Sequence, residues 1–299
     1  VAELKTGLDA NELPALYRAY SARSDDAQRN VLRGVRASLG GAVVAAALSL
    51  FEIPAREIDV AGLLAAVSFL ISLSAGCWLL WRRPERAWYD ARAGAESVKT
   101  LSWQFATGGG EFPRDDDEDE VQRRFLERLR EIMSSLRTVG TSTAASESQV
   151  TQRMLDLRSA SLDTRQAAYR RGRIDDQREW YAGKAAWNEK RRSVWAVAAL
   201  SLQAVGFGAG LARAFSGLDL DLLGFAAAMT AGITAWARTK DYAELAEAYA
   251  VTAQEIGLLS DEPVPNDEEN WALYLEEAEL AFSREHTLWR ARKGSREIG

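Results

Sequence analysis

The sequence predicts an all-α integral membrane protein with two transmembrane helical hairpins and long cytoplasmic helices. Three observations lead there. Four apolar stretches occur as two pairs, basic residues collect at the same end of each pair, and the remaining segments carry helical rather than alternating periodicity. The 299 residues are 47% hydrophobic and 27% charged, enough for one or two domains. The pattern divides the chain into a first two-transmembrane module over residues 1–112, a cytoplasmic helical connection over 113–165, and a second two-transmembrane module over 166–299.

The opening "VAELKTGLDANELP" lacks the basic-then-apolar order of a secretory signal. The first apolar pair is Ala37 to Phe51 and Val60 to Trp81, and the second is Ser193 to Ala212 and Leu222 to Ala237. A bilayer core asks for about 20 predominantly apolar residues. The second and third runs meet this plainly. The first and fourth are shorter and rich in alanine and glycine, and gain their reading from their partners. Within the third run, Gly206 and Gly210 are spaced to let backbones approach closely. That stretch, "GFGAG", has no preceding strand and is not a nucleotide loop.

Flanking charge orients the pairs. Arg33 and Arg36 precede the first and Arg82, Arg83 and Arg86 follow it, whereas its connection carries Glu52, Glu57 and Asp59 against Arg56. Lys184, Lys190, Arg191 and Arg192 precede the second and Arg238 and Lys240 follow it, with Arg213 alone at its turn. Retention of positive charge inside places both termini and residues 112–189 in the cytoplasm, and the connections near Arg56 and Phe215 outside. Trp78, Trp81, Trp195 and Trp236 lie at the basic ends, where an amphipathic ring suits the interface.

Beyond the apolar runs the chain reads as helix. "RAWYDARAGAESVKTLSW" continues the second run without a breaker to Gly108–Gly110, and "RTKDYAELAEAYAVTAQEIGLL" continues the fourth. Each extension of about 20 residues reaches roughly 30 Å. Sliding one on the other matches Tyr89 with Tyr242, Ala93 with Ala246, Ala95 with Ala248 and Val98 with Val251, an internal duplication. One copy bears an apolar stripe, Tyr242, Leu245, Tyr249 and Ile256, which predicts packing between copies of the chain. The other bears Arg92, Glu96 and Lys99 at helical pairing distance, either an exposed ion-pair row or a polar network at a seam or ligand pocket.

The six acids of "DDDEDE" fit a helix start, where the dipole favours them, and no turning glycine follows to make a calcium loop. From Ser146 a second long helix is predicted through Val150, Met154 and Leu157 toward Tyr169, feeding the third apolar run. The last segment spaces Trp271, Tyr274, Ala278, Phe282, Glu285 and Trp289 along one helical face.

The chemistry implied is sparse. A net charge of −6 argues against a nucleic-acid partner, and one cysteine, Cys77, leaves no disulfide or thiolate metal site. The single histidine, His286, removes ordinary triad chemistry. A hydrolase would rest on Asp175, Asp176, Glu179 and His286 with no nucleophile or phosphate loop, so no enzyme, cofactor or metal is expected. What lipid would disfavour stands out instead: Ser68 and Ser72, Thr230 and Thr234, Gln203, and Glu52 at a mouth. These are candidate pore-lining residues, with hydrogen bonding between helices the competing reading for serine and threonine. Glu57, Asp59, Asp219 and Asp221 join Glu52 as candidate outer-mouth acids that would concentrate cations. Four thin helices are too few for a wet lumen, so a pore requires several copies.

The run "SQVTQRMLDLRSASLDTRQAAYRRGRIDDQREWYAGKAAWNEKRR", the "WYDARAGAESVKTLSW" after the first hairpin and the closing "EAELAFSREHTLW" resemble the SLATT family, the SMODS- and SLOG-associating two-transmembrane effectors, in tandem form. The resemblance runs from about Tyr17 to near the end of the chain. It implies a bacterial inner-membrane protein whose partners are the lipid bilayer, further copies of itself and ions, acting as a membrane-perturbing or pore-forming effector in conflict and anti-phage systems. Some members stand beside nucleotide second-messenger synthases. No SMODS or SLOG sensor is recognisable in this sequence, which leaves a nucleotide trigger open. The alternative is a non-conducting, membrane-anchored scaffold that docks a partner through its cytoplasmic helices.

Overall fold

The computed structural model describes residues 7–55, 58–136, 147–216 and 221–295. The helices are α1 (Ala15–Leu48), α2 (Val60–Arg82), α3 (Pro84–Thr107), α4 (Glu118–Ser135), α5 (Gln152–Ser159), α6 (Leu162–Tyr169), α7 (Asp176–Ser216), α8 (Leu222–Lys240), α9 (Tyr242–Asp261) and α10 (Glu268–Ser295). A π-helical turn, Arg170–Asp175, joins α6 to α7. The only strands among the described residues are a two-residue antiparallel pair, β1 (Pro54–Ala55) with β2 (Ile58–Asp59), in the first hairpin connection. The all-α class therefore holds.

Two expected continuities fail for local reasons. The chain between α2 and α3 turns at Arg83, which adopts the left-handed conformation at φ 43° and donates its backbone N–H to the Leu79 carbonyl. Pro84 then opens α3, a position where its missing N–H costs nothing. Asp241, at φ 49°, separates α8 from α9 in the same way. The long helix expected from Ser146 is also divided. Ser146 lies outside the described residues, α5 ends at Ser159, and Ser161 caps α6 by accepting from the Thr164 N–H.

The chain forms two compact units, each assembled from several segments. The first comprises residues 1–27, 85–183 and 248–299. Its core is aromatic and arginine-rich. Phe105, Phe112 and Phe125 cluster with ring centroids 4.6–6.0 Å apart. Trp103, Tyr169 and Trp271 meet edge to face at 5.8 Å, and Tyr274 stacks on Trp271 at 5.5 Å. Amphipathic α4 joins through Val121, Phe125 and Leu129, spaced four apart. Asp117 caps it, and Glu118, Asp119 and Glu120 occupy its first turn, the dipole role expected of that acidic run.

A helix that ends inside a core must find donors for its last carbonyls. Those of α3 and the chain just beyond find arginine. Arg158 donates to the carbonyls of Phe105, Phe112 and Pro113, while Arg165 donates to Thr107 and pairs with Glu268. The indole of Trp271 also donates to Thr107.

The second unit comprises residues 28–84 and 184–247. Here helix surfaces remain apolar and exposed: Leu63, Phe69, Leu70 and Leu73 on α2, and Val197, Leu200, Val205 and Phe207 on α7. Among the described residues, α1, α2 and the continuous helical stretch Leu162–Ser216 are long and apolar enough to cross a membrane. The fourth expected span, α8, is a helix of 19 residues but is not among them.

Candidate functional site

The membrane-like unit is built from close helix contacts. Gly41 of α1 lies so near α2 that a Cβ there would approach the Ser68 carbonyl to 2.8 Å. Ser72 donates its hydroxyl to the Ser38 carbonyl at 2.6 Å, tying the same two helices. Gly206 and Gly210 face Ala226 and Leu223 of α8, as their spacing implied. Arg36 lies over the Trp236 ring at 5.4 Å, a cation–π contact at the basic end.

The candidate lining residues fall into distinct settings. Ser68 and Ser72 lie on the α2 face next to α1, and the hydroxyl of Ser72 is used between helices. Thr230 and Thr234 donate to carbonyls of their own helix, Ala226 and Thr230, at 2.8 Å. Gln203 is exposed on α7 among large apolar neighbours, and Glu52 is exposed in the connection.

Two outer-mouth acids have structural work. Asp59 caps α2, accepting from the N–H groups of Ala61 and Gly62 at 3.1 and 3.0 Å. Asp221 caps α8 through the Gly224 N–H at 3.1 Å and pairs with Arg213 at 3.3 Å. In both hairpins a glycine stands three residues after the capping aspartate. A Cβ on Gly62 or Gly224 would come within 2.6 or 2.4 Å of that carboxylate. This repeated Asp-x-x-Gly was legible in the sequence but was masked there by its use as a charge count. Glu57 and Asp219 lie outside the described residues, as do Arg56 and the side chains of Glu285, His286 and Trp289.

The apolar stripe of α9 is covered within the chain. Tyr242, Tyr249 and Ile256 are buried and Leu245 is half-buried. In the first unit, the Tyr249 ring lies 5.5 Å from both Trp180 and Tyr181; in the second, Tyr242 lies 5.9 Å from Trp187. The expectation that this stripe awaits another copy overlooked α7, whose aromatic residues supply the cover.

Arg92, Glu96 and Lys99 are half-buried on α3. Burial pushes the Lys99 ammonium below its ordinary pKa, and Arg173 adds to the shift, against opposing pulls from Glu96, Asp176 and Glu279. The centre of this polar region is a group that the sequence reading missed. Arg173, from the π-helical turn, and Glu279, from α10, are both 1% exposed and paired at 2.6 Å. Glu279 also accepts from Tyr169 at 3.0 Å and Thr100 at 2.8 Å. Burial opposes charge on Arg173, but Glu279 outweighs it and holds the guanidinium above its ordinary pKa. Burial and then Glu279 drive the Tyr169 hydroxyl well above its usual value. A signal was present: Arg158, Arg165 and Arg173, seven and eight residues apart, recur at the period of one helical face.

Comparison with known families divides the chain at the same region. Residues 14–166 match the family described as SMODS and SLOG-associating 2TM effector domain 3, and residues 169–289 match SMODS and SLOG-associating 2TM effector domain 1. No curated protein matches the chain significantly, and no solved structure does.

Proposed function

The chain belongs to the SMODS and SLOG-associating 2TM effector family, in a tandem form, and from that premise we propose that it is a membrane effector whose copies assemble into an ion-conducting pore. Membership and the long apolar helices support a membrane location. The finer reading places the protein in a bacterial inner membrane with both termini cytoplasmic and two hairpins spanning the bilayer, α8 included as the short return of the second. It is not an enzyme on this reading, and its setting is a conflict or anti-phage system.

The observation that carries the pore is Gln203. Its amide is exposed on α7, on a stretch that also exposes Leu200, Val205 and Phe207 at 62–68%. Hydrocarbon would satisfy those neighbours and leave the amide without partners, which costs a few kcal/mol. A second copy or a water-filled lumen removes that cost. Several copies are needed on this reading, because four thin helices that pack closely through Gly41, Gly206 and Gly210 are too few to enclose a wet lumen.

Purified protein in liposomes tests this by ion flux. Wild-type vesicles are expected to leak small ions, and Gln203→Leu to reduce the rate by making a constriction harder to wet. In asymmetric salt the reversal potential should favour cations, and Glu52→Gln should weaken that preference most at low ionic strength. Tight vesicles under all conditions would favour the non-conducting scaffold. An anion-selective reversal would remove the acids from the conduction path.

A further inference from the structure

The first unit contains a cavity of about 440 Å³, within the range of small-molecule sites. Asp9 lies on its wall, with Tyr17 from α1, Lys99 from α3, Arg171 and Gly172 from the π-helical turn, and Asp176 from the start of α7. All belong to one compact unit.

Two cations, Lys99 and Arg171, and two carboxylates, Asp9 and Asp176, line the cavity with the Tyr17 hydroxyl. Among the described residues the Lys99 ammonium, the Tyr17 hydroxyl and the Arg171 guanidinium have no hydrogen-bond or ion-pair partner. Of the acids on the wall, Asp9 has a partner, and Asp176 accepts from Gln177 at 3.5 Å and acts electrostatically on Lys99. Behind the wall, Arg173 acts electrostatically on both Tyr17 and Lys99. Its Nη1 is buried with no acceptor, although Nε and Nη2 are taken by Glu279 and Thr100. Buried donors without acceptors are costly and uncommon in folded proteins. Arg173 Nη1 is such a donor, and Lys99 and Tyr17, half-buried on the wall, add two more groups without a partner among the described residues.

The backbone supports the same reading. A π-helical turn widens the helix by one residue per turn, is less stable than α-helix, and recurs at functional sites. This one brings Arg171 and Gly172 to the cavity wall while turning Arg173 inward. Gly7 approaches the turn closely: a Cβ on it would stand 3.1 Å from the Gly172 Cα.

We propose that this cavity binds the oxyanion group, phosphate or carboxylate, of a soluble small molecule, with Lys99 and Tyr17 as anchoring donors and Arg171 at the rim. An oxyanion accepts several hydrogen bonds at once, and acceptors are what Lys99, Tyr17 and Arg171 lack among the described residues. All the lining residues belong to the first unit, and binding requires no conduction.

The test is ligand-dependent stabilisation of the full chain purified in detergent, titrated with inorganic phosphate and, separately, succinate. Sodium chloride at matched ionic strength serves as the control. A saturable rise in thermal midpoint with one of the two anions, absent with chloride, is expected. Which anion acts separates phosphate from carboxylate chemistry. Lys99→Met is expected to weaken the response about tenfold or more, the scale for losing a charge-assisted hydrogen bond. Tyr17→Phe, which removes one oxygen atom, is the milder second variant and should weaken it in the same direction. Arg128→Gln, on the exposed face of α4, should leave it unchanged. The proposal is overturned if neither anion acts beyond the chloride control, or if both Lys99→Met and Tyr17→Phe respond like wild type. Liposome flux is measured independently, so a dry cavity and a closed membrane remain distinguishable results.

Discussion

Glu279 accepts hydrogen bonds from Tyr169, Thr100 and two nitrogens of Arg173 in a site closed to water. Removing one member of such a pair leaves the other charge buried and uncompensated. Glu279→Gln is expected to destabilise the first unit by about 3–5 kcal/mol, read as a lower denaturation midpoint in detergent. The double change Arg173→Met with Glu279→Leu should recover most of that loss, because no lone charge remains. Lys99 makes the opposite prediction. Its pKa is below the ordinary 10.5 in the folded chain, so the unfolded chain holds the proton more strongly between the two values. Stability therefore rises with pH through that window, and Lys99 is destabilising below it. Lys99→Met should raise the thermal midpoint at neutral pH, with the advantage shrinking as pH approaches 10.5. Neither effect was readable from the chain, since helical spacing brings Arg92, Glu96 and Lys99 together but says nothing of Arg173 or Glu279.

Helix ends show where local sequence rules hold and where they yield. Asp59 and Asp221 head their helices as capping residues should, and the glycine three positions later makes room for each carboxylate. Asp59→Ala should cost about 1 kcal/mol of helix stability. Gly62→Ala should cost a similar amount by displacing the carboxylate, and hydrogen exchange at Ala61 and Gly62 reads both. Gly109 illustrates the other kind of glycine. A Cβ there would sit 2.4–2.5 Å from two atoms of Leu275, so Gly109→Ala is expected to destabilise the first unit by about 1–3 kcal/mol through overpacking. A thermal midpoint equal to wild type would show that Leu275 has room to move. The glycine cluster announced the end of α3, and its location against α10 required the fold. Pro84 was visible as well, yet hydrophobic continuity into "RAWYDARAG" concealed the break that it and left-handed Arg83 create.

At the scale of the molecule, the two sequence modules do not coincide with the two compact units. Residues matching each family domain contribute to both units, because every hairpin leaves the first unit and returns to it. The topology follows a simple test. In a Cys77→Ser background, Ala55→Cys and Ser216→Cys should react with an impermeant thiol reagent in intact cells, while Arg128→Cys should react only after permeabilisation. The reverse pattern would invert the proposed orientation. Composition and periodicity determined the all-helical class and the long apolar helices, and the resemblance of three stretches pointed to the tandem family, because each depends on which residues neighbour one another along the chain. The sequence also placed Gly206 and Gly210 at a helix contact and the acidic run at a helix start, for the same reason. Only the tertiary structure decided what covers the Tyr249 stripe and which carbonyls Arg158 and Arg165 satisfy. It also decided that Arg173 meets Glu279 from 106 residues away and that Tyr17, Lys99 and Arg171 share one cavity. Such pairings arise when distant helices are packed, and helical spacing along the chain carries no information about which faces will meet.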